Sequence, residues 1–112
     1  MAASHKAFFW TAPTKNTDGT PITYPLDYTF YANKVGDAPQ AILTTPGALN
    51  PDGRYTAPIA DMPFFQFGNT YETRLQAVNH NKPTEVSAQS NAVTFAYDSV
   101  ENPEAPLDLA VA

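Results

Sequence analysis

The two histidines of this sequence, His5 and His80, are its candidates for general acid–base chemistry near neutral pH. A Ser-His-Asp hydrolase needs such a histidine to be held by a carboxylate beside a nucleophile. His5 lies in the N-terminal segment MAASHK, and His80 lies in the polar segment NHNKP. We interpret both as loop histidines in contact with solvent, so the sequence predicts no catalytic residue.

Two segments rich in side-chain oxygens, NTDGT at 16–20 and NPDG at 50–53, are the candidates for a calcium site. Neither has the number of acidic side chains found in calcium-binding loops, and Asp-Gly is a common turn sequence. Asp37 and Asp61 also lie in or beside turns, which leaves no carboxylate pair for glycoside hydrolysis. Cysteine is absent, which excludes thiolate metal ligands and cysteine nucleophiles. We therefore expect no enzymatic activity, no metal ion and no cofactor.

The composition of the chain argues against two classes of partner, nucleic acids and membranes. The chain of 112 residues has a net charge of −5, and its six basic residues are scattered, so we expect no nucleic-acid binding. No apolar run is long enough to cross a bilayer, and AFFW is too short for the core of a secretion signal. We expect synthesis in a host cytoplasm without a signal peptide and no membrane association. Eleven prolines and 15% charged residues favour strands and loops over helices.

The hydrophobic pattern alternates with the period of strands. The clearest case is KAFFWTA, which places Phe8 and Trp10 on one face and Phe9 on the other. Further strands are predicted at 26–32, 40–45, 70–79 and 90–97, with an extended, proline-interrupted segment at 54–65. Short strands separated by turn sequences predict an all-β sandwich of two antiparallel sheets.

In order and spacing, these segments resemble an immunoglobulin-like fibronectin type III domain over roughly residues 7–97. The similar motifs are FFWTAPTKNTDGTPI, LDYTFY, FQFGNTYETRLQAVN and TEVSAQSNAVTF. The resemblance implies that Tyr71 is the corner tyrosine, whose hydroxyl bonds back to the turn backbone while its ring fills the core.

The first strand of that family has no counterpart before Ala7, whereas PEAPLDLAV at 103–111 has its spacing. We expect residues 1–97 to form a sandwich lacking its first strand and residues 98–112 to be a C-terminal extension. This extension could fold back onto its own domain or add a strand to a neighbouring copy. The connection from about residue 96 to 102 spans at most roughly 25 Å, which favours a neighbouring copy.

Several large apolar side chains are predicted to face outward or to lie in turns or in the extension, and a group of this kind favours a protein interface. They are Phe9, Tyr31, Phe64, Tyr97, Pro103, Pro106, Leu107, Leu109 and Val111. We expect a non-catalytic structural protein of a phage virion, a capsid decoration or tail-attached protein, whose partners are its own copies and a larger structural protein.

The alternative is a carbohydrate- or cell-surface-binding module located outside the cell or at its surface. Its contacts with a surface glycan would come from the loops KNTDGTPITY, VGDAP and NHNKPTE, including Tyr24.

Overall fold

The computed structural model describes residues 3–101, 103 and 105–111. Its strands are β1 (Ala7–Trp10), β2 (Leu26–Lys34), β3 (Gln40–Thr45), β4 (Ala48–Leu49), β5 (Tyr55–Pro58), β6 (Asn69–Asn79) and β7 (Val93–Tyr97). A short 3₁₀ helix, Ile59–Asp61, follows β5. The predicted strand at 40–45 matches β3, and the other predicted strands agree with the observed ones within a few residues.

The strands form two sheets, in the orders β1-β5-β4 and β3-β2-β6-β7, and every strand pair is antiparallel. The long central pair, β2 and β6, runs in continuous register from Leu26 opposite Asn79 to Lys34 opposite Tyr71. The prediction of an all-β sandwich of two antiparallel sheets is confirmed.

Aromatic side chains join the two sheets. Tyr28 and Phe30 project from β2 and are buried, as the alternation of LDYTFY predicts. From the other sheet, the ring of Phe8 packs 5.2 Å from that of Phe30, and Trp10 packs edge-on to Tyr28 at 5.1 Å. Offset and edge-on contacts at these distances are favourable for aromatic rings, so the core is stabilised by ring packing as well as by burial.

The predicted extended segment at 54–65 is only partly extended. Strand β5 ends at Pro58, which has no N–H to continue a ladder, and the chain turns into the 3₁₀ helix. The turn points Ile59 and Met62 into the core, where both are buried. Its first N–H bonds to the residue before β1, since Ile59 N donates to Lys6 O at 3.0 Å.

The corner tyrosine implied by the family resemblance has the expected geometry. Tyr71 is fully buried at the start of β6, and its hydroxyl accepts a bond from Gln66 N at 2.8 Å. The same hydroxyl lies 3.3 Å from Gln66 O, to which it donates. The predicted bond between Tyr71 and the preceding turn is therefore confirmed.

Candidate functional site

Strand β1 lies at the edge of its sheet, and within the described residues its one neighbouring strand is β5. The bond from Ile59 N to Lys6 O makes Lys6 and Ile59 a hydrogen-bonded pair. Because such pairs alternate along an antiparallel ladder, Phe8 and Trp10 direct their backbone groups to β5. The backbone groups of Ala7 and Phe9 consequently point to the open side of the sheet.

A groove of about 450 Å³ lies beside this open edge, between the two sheets. Phe8 and Trp10 form one wall, Tyr28 and Phe30 lie at its base, and Leu75 and Val93 belong to the opposite sheet. All six side chains belong to the interior of the sandwich by strand alternation. The groove is thus a place where the core is open to solvent along a sheet edge.

The exposure of Val93 shows that the core is incompletely covered here. Val93, which the alternation of β7 places inward, is 45% exposed. Among the residues around the groove, Trp10 Nε1 and Thr73 Oγ1 are buried polar atoms with no hydrogen-bond partner in the described part of the chain. Burial raises the pKa of Tyr28 at the base, and the nearby indole N–H of Trp10 acts in the opposite direction.

The opposite wall of the groove is held by two serines rather than by a regular ladder. Ser87 Oγ accepts the N–H of Ala77 at 2.9 Å, and Ser90 Oγ accepts the N–H of Leu75 at 3.0 Å. The backbone of both serines donates back to the carbonyls of the same two residues. Because Ser87 and Ser90 are three residues apart, one irregular segment supplies hydrogen-bond partners to the backbones of Leu75 and Ala77, two successive inward-facing residues of β6.

The aromatic residues predicted to face outward divide into two pairs. Phe9 is 51% exposed beside the open edge, with the guanidinium of Arg54 4.9 Å above its ring. Tyr31 is half-buried and donates its hydroxyl to Gln76 Oε1 at 3.0 Å. These two side chains remain accessible for a partner.

The outward placement of Tyr97 is wrong. Tyr97 is buried because it lies two residues after Phe95 and so shares its inward face, where it stacks on Phe67 at 4.8 Å. Phe64 lies in a turn, as predicted, and is half-buried against the rings of Phe65 and Tyr71. Tyr97 therefore closes the core rather than offering a surface.

The C-terminal extension pairs with the sandwich at Ser99, which forms a bridge with Ala3. Among the described residues beyond it, 100–101, 103 and 105–111, none belongs to a strand, and Pro103 and Pro106 are exposed. Leu107, Leu109 and Val111 are 86%, 98% and 97% exposed. The fold-back of this segment onto its own β1, which the sequence left open, is therefore not formed.

Both histidines have specific partners. His80 Nδ1 lies 2.7 Å from Asp27 Oδ2, although the imidazole remains largely exposed, and His5 Nδ1 lies 3.0 Å from Ala96 O. The His80–Asp27 pair was not predicted, because the two residues are joined by the register of β2 and β6 and not by proximity in the chain. Within the described residues, no serine bonds to His80.

The two Asp-Gly segments are turns, as predicted. Asp18 Oδ1 accepts both the N–H and the hydroxyl of Thr20, and Asp52 accepts the N–H and the side chain of Arg54. These bonds lower the pKa of both carboxyl groups below the ordinary value. Within the described residues, no group of three or more acidic or histidine side chains is placed to hold a metal ion.

A second cleft, of about 420 Å³, lies at the end of the sandwich away from the extension. It brings together two of the three loops predicted for glycan contact, 15–24 and 79–85. Tyr24 lines it and donates its hydroxyl to Asn16 Oδ1. The loop at 35–39 does not contribute to this cleft.

Comparison with protein-family models, with curated proteins and with solved structures finds no match to this chain. Within the described residues, none of the helical structure has the length and apolar character that a membrane span needs. The open edge of β1, its groove and the exposed extension are the features of the molecule that bear on its function.

Proposed function

We propose that this protein is a non-catalytic structural subunit of a larger assembly, joined to its partners by strand addition. The observation that carries the proposal is an open sheet edge beside an exposed apolar groove, in a chain that also projects an apolar segment. An unpaired edge is a template for another strand, and folded proteins normally cover such edges.

The fibronectin type III resemblance supports the same proposal. A three-stranded and a four-stranded antiparallel sheet, together with the bonded corner Tyr71, fit an immunoglobulin-like sandwich of that type. In such a sandwich, the first strand would lie beside β1. The open groove occupies that position, and it is lined by core residues that such a strand would cover.

Within this class, we favour a phage virion protein, either a capsid decoration or a tail-attached module. Virions are built from many copies of few subunits, and a free edge combined with a projecting strand allows the same contact to repeat from copy to copy. The partners would be other copies and a larger structural protein. The virion assignment rests on this fit of geometry to repeated assembly.

The test is the mass of the purified protein in solution, measured by sedimentation velocity over a wide concentration range. Phe9→Pro removes an N–H on the open side of β1 and leaves the bonds to β5 intact, so we expect it to abolish assembly. Phe9→Val keeps the N–H and should assemble. A wild-type chain that stays monomeric at every concentration contradicts self-assembly.

The second cleft favours a second candidate function, binding of a surface glycan. It combines the Tyr24 ring with hydrogen-bonding side chains such as Asn16 and Asn79, a combination that suits a sugar. A glycan array probed with wild type and Tyr24→Ala tests this function. Binding that is lost in Tyr24→Ala and kept in Tyr31→Ala, an aromatic change outside the cleft, would support it.

A further inference from the structure

The C-terminal segment 105–111 has the pattern of a strand that could complete the sheet. Leu107, Leu109 and Val111 alternate with Asp108 and Ala110, so an extended backbone places the three apolar side chains on one face. These side chains are almost fully exposed in the single chain. The segment therefore has one apolar face with nothing to cover it, and the groove has apolar walls with no strand over them.

The direction of the chain argues against pairing within one copy. Ala3 and Ser99 form an antiparallel bridge, and Ser4 N donates to Asp98 O at 2.7 Å. At Ser99, the chain therefore lies beside the segment that leads into β1, and it runs antiparallel to β1. A short reversal after Ser99 would lay the extension parallel to β1, whereas every strand pair of the described residues is antiparallel.

The dimensions of the molecule agree with an extension that leaves the body. The radius of gyration is 18.2 Å, and the longest axis is 75 Å against 33 and 21 Å for the others. A compact chain of this length would have a radius of gyration of roughly 13 Å. The described residues after Ser99, 100–101, 103 and 105–111, therefore project from the pole of the sandwich at which β1 begins.

We infer that residues 105–111 of one copy pair antiparallel with the open edge of β1 in the next copy, which joins the copies head to tail. This inference rests on the proposed function and names its occupant, a second copy of this chain. The inferred register places Leu109 opposite Phe8 and Leu107 opposite Trp10. The two leucines then enter the groove, over the core residues that it exposes.

The backbone supports this register. Ala7 and Phe9 direct their N–H and C=O groups to the open side, and in this register they face Ala110 and Asp108. Both of these residues have an N–H to donate. Pro106 falls at the first position of the added strand, where the absence of an N–H is tolerated.

Charge also matches at the outer face of the added strand. Asp108 would lie opposite Phe9, where Arg54 already sits over the ring at 4.9 Å. The Asp108 carboxylate therefore approaches a guanidinium that is about half exposed and whose Nε is already paired with Asp52 Oδ2 at 2.9 Å. In the single chain, Asp108 has a φ of 59°, in the left-handed region, and pairing would convert it to the extended conformation that such a residue prefers.

The same geometry sets the arrangement of the copies. The extension leaves one copy at the pole where β1 begins, and in the antiparallel register it must enter the next copy at the Trp10 end of β1. Each contact therefore joins opposite poles of two copies. A contact of this kind is heterologous and produces open arrays or rings rather than a closed pair.

The first test compares two tail variants by sedimentation velocity. Leu109→Asp places a charge on the face that enters the groove, and Ala110→Asp places the same charge on the outer face one residue away. Both positions are exposed in the single chain, so neither change disturbs its fold. We expect Leu109→Asp to weaken association by about 30-fold or more and Ala110→Asp to have little effect. Equal behaviour of the two variants overturns the inference.

The second test uses the absence of cysteine from the natural chain. Phe9→Cys and Asp108→Cys are purified separately, mixed and oxidised. Cα atoms of a hydrogen-bonded pair are about 5.5 Å apart, within the range of a disulfide, so a dimer linked through these positions is expected. Leu109→Cys, whose side chain faces the groove, is the control and should give little product with Phe9→Cys.

The outcomes separate this inference from the proposed function. If Phe9→Pro abolishes assembly while Leu109→Asp does not, the edge is used by another strand and the inference fails alone. If the double variant with both cysteines gives an oxidised monomer, the segment pairs within its own chain and the inference is wrong. A wild-type mass that stops at a dimer excludes the head-to-tail array.

Discussion

At the residue scale, Tyr71 has the contacts that the family resemblance implies for it. The resemblance implies a bond from its hydroxyl to the turn, and the hydroxyl meets both the N–H and the C=O of Gln66. Tyr71→Phe keeps the ring and leaves the Gln66 N–H without this acceptor. We expect a loss of about 1–3 kcal/mol in the free energy of unfolding, measured with urea.

Tyr31→Phe is the matched control for this prediction. The Tyr31 hydroxyl bonds to the Gln76 side chain at 3.0 Å in a half-buried position, where water can replace the lost partner. Its removal should lower stability by no more than about 1 kcal/mol. A Tyr71→Phe protein as stable as Tyr31→Phe would contradict a structural role for the corner bond.

A second residue prediction concerns Gly47, in the turn before β4. Its φ is +71°, and a Cβ there would lie 2.7 Å from Cζ2 of Trp10. Gly53 has a φ of +86° but no neighbour within 4 Å. We expect Gly53→Ala to lower the free energy of unfolding by about 1–2 kcal/mol, the cost of a positive φ alone. Gly47→Ala should lower it by more, because the indole of Trp10 must also move.

Urea unfolding followed by the fluorescence of Trp10, the one tryptophan of the chain, measures both glycine variants. A change in the native emission is expected for Gly47→Ala and not for Gly53→Ala. Equal losses of stability in the two variants would show that the Trp10 ring moves aside with no cost in free energy.

Sequence reasoning misplaced Tyr97 for a physical reason. Tyr97 lies where a strand ends, and the face of such a residue depends on packing that a short pattern does not contain. The His80–Asp27 contact depends on the register of two neighbouring strands that are far apart in the sequence. By contrast, Phe8, Trp10 and Phe9 lie within one regular strand, and their faces follow from alternation alone.

At the element scale, long alternating strands such as β2 and β6 were predictable because their period of two persists over many residues. The segment after β5 was not, since Pro58 ends the ladder and the 3₁₀ helix buries Ile59 and Met62 without strand periodicity. The hydrogen bonds of Ser87 and Ser90 along the wall of the groove could not be predicted either. They are side-chain bonds that take the place of a strand ladder, and such bonds leave no hydrophobic pattern in the sequence.

The Asp-Gly turns carry a prediction on pH at this scale. The Thr20 hydroxyl and N–H bond to the charged form of Asp18 and lower its pKa from 3.8. A folded-state pKa below the unfolded one means that the contribution of the turn is present at neutral pH and is lost as the pH falls through the folded value. We expect a carboxyl titration of Asp18 by NMR to have its midpoint below 3.8.

The control for the pH prediction is Thr20→Val, which removes the hydroxyl, the largest cause of the lowered pKa. The Asp18 midpoint should then move upward, while that of Asp52, bonded to Arg54, stays low. An unchanged Asp18 midpoint in Thr20→Val would show that the hydroxyl bond does not form in solution.

At the scale of the whole molecule, the groove beside β1 could not be predicted from the sequence. It forms only where β1 meets β6 and the segment of Ser87 and Ser90, which lie more than fifty residues further along the chain. The exposed extension and the open groove are individually unfavourable features of a single copy. The proposed association of copies would cover both features.

A head-to-tail array makes a prediction about length that a closed dimer does not. A Leu109→Asp copy keeps its groove but has a defective extension, so it can accept a neighbour and cannot continue the array. Adding it to wild type should shorten the assemblies in proportion to its share, as native mass spectrometry would measure. A Phe9→Pro copy should shorten them from the other end, and a mixture of the two variants should stop at one heterodimer. If the two variants together rebuild long assemblies, a contact other than the edge of β1 joins the copies.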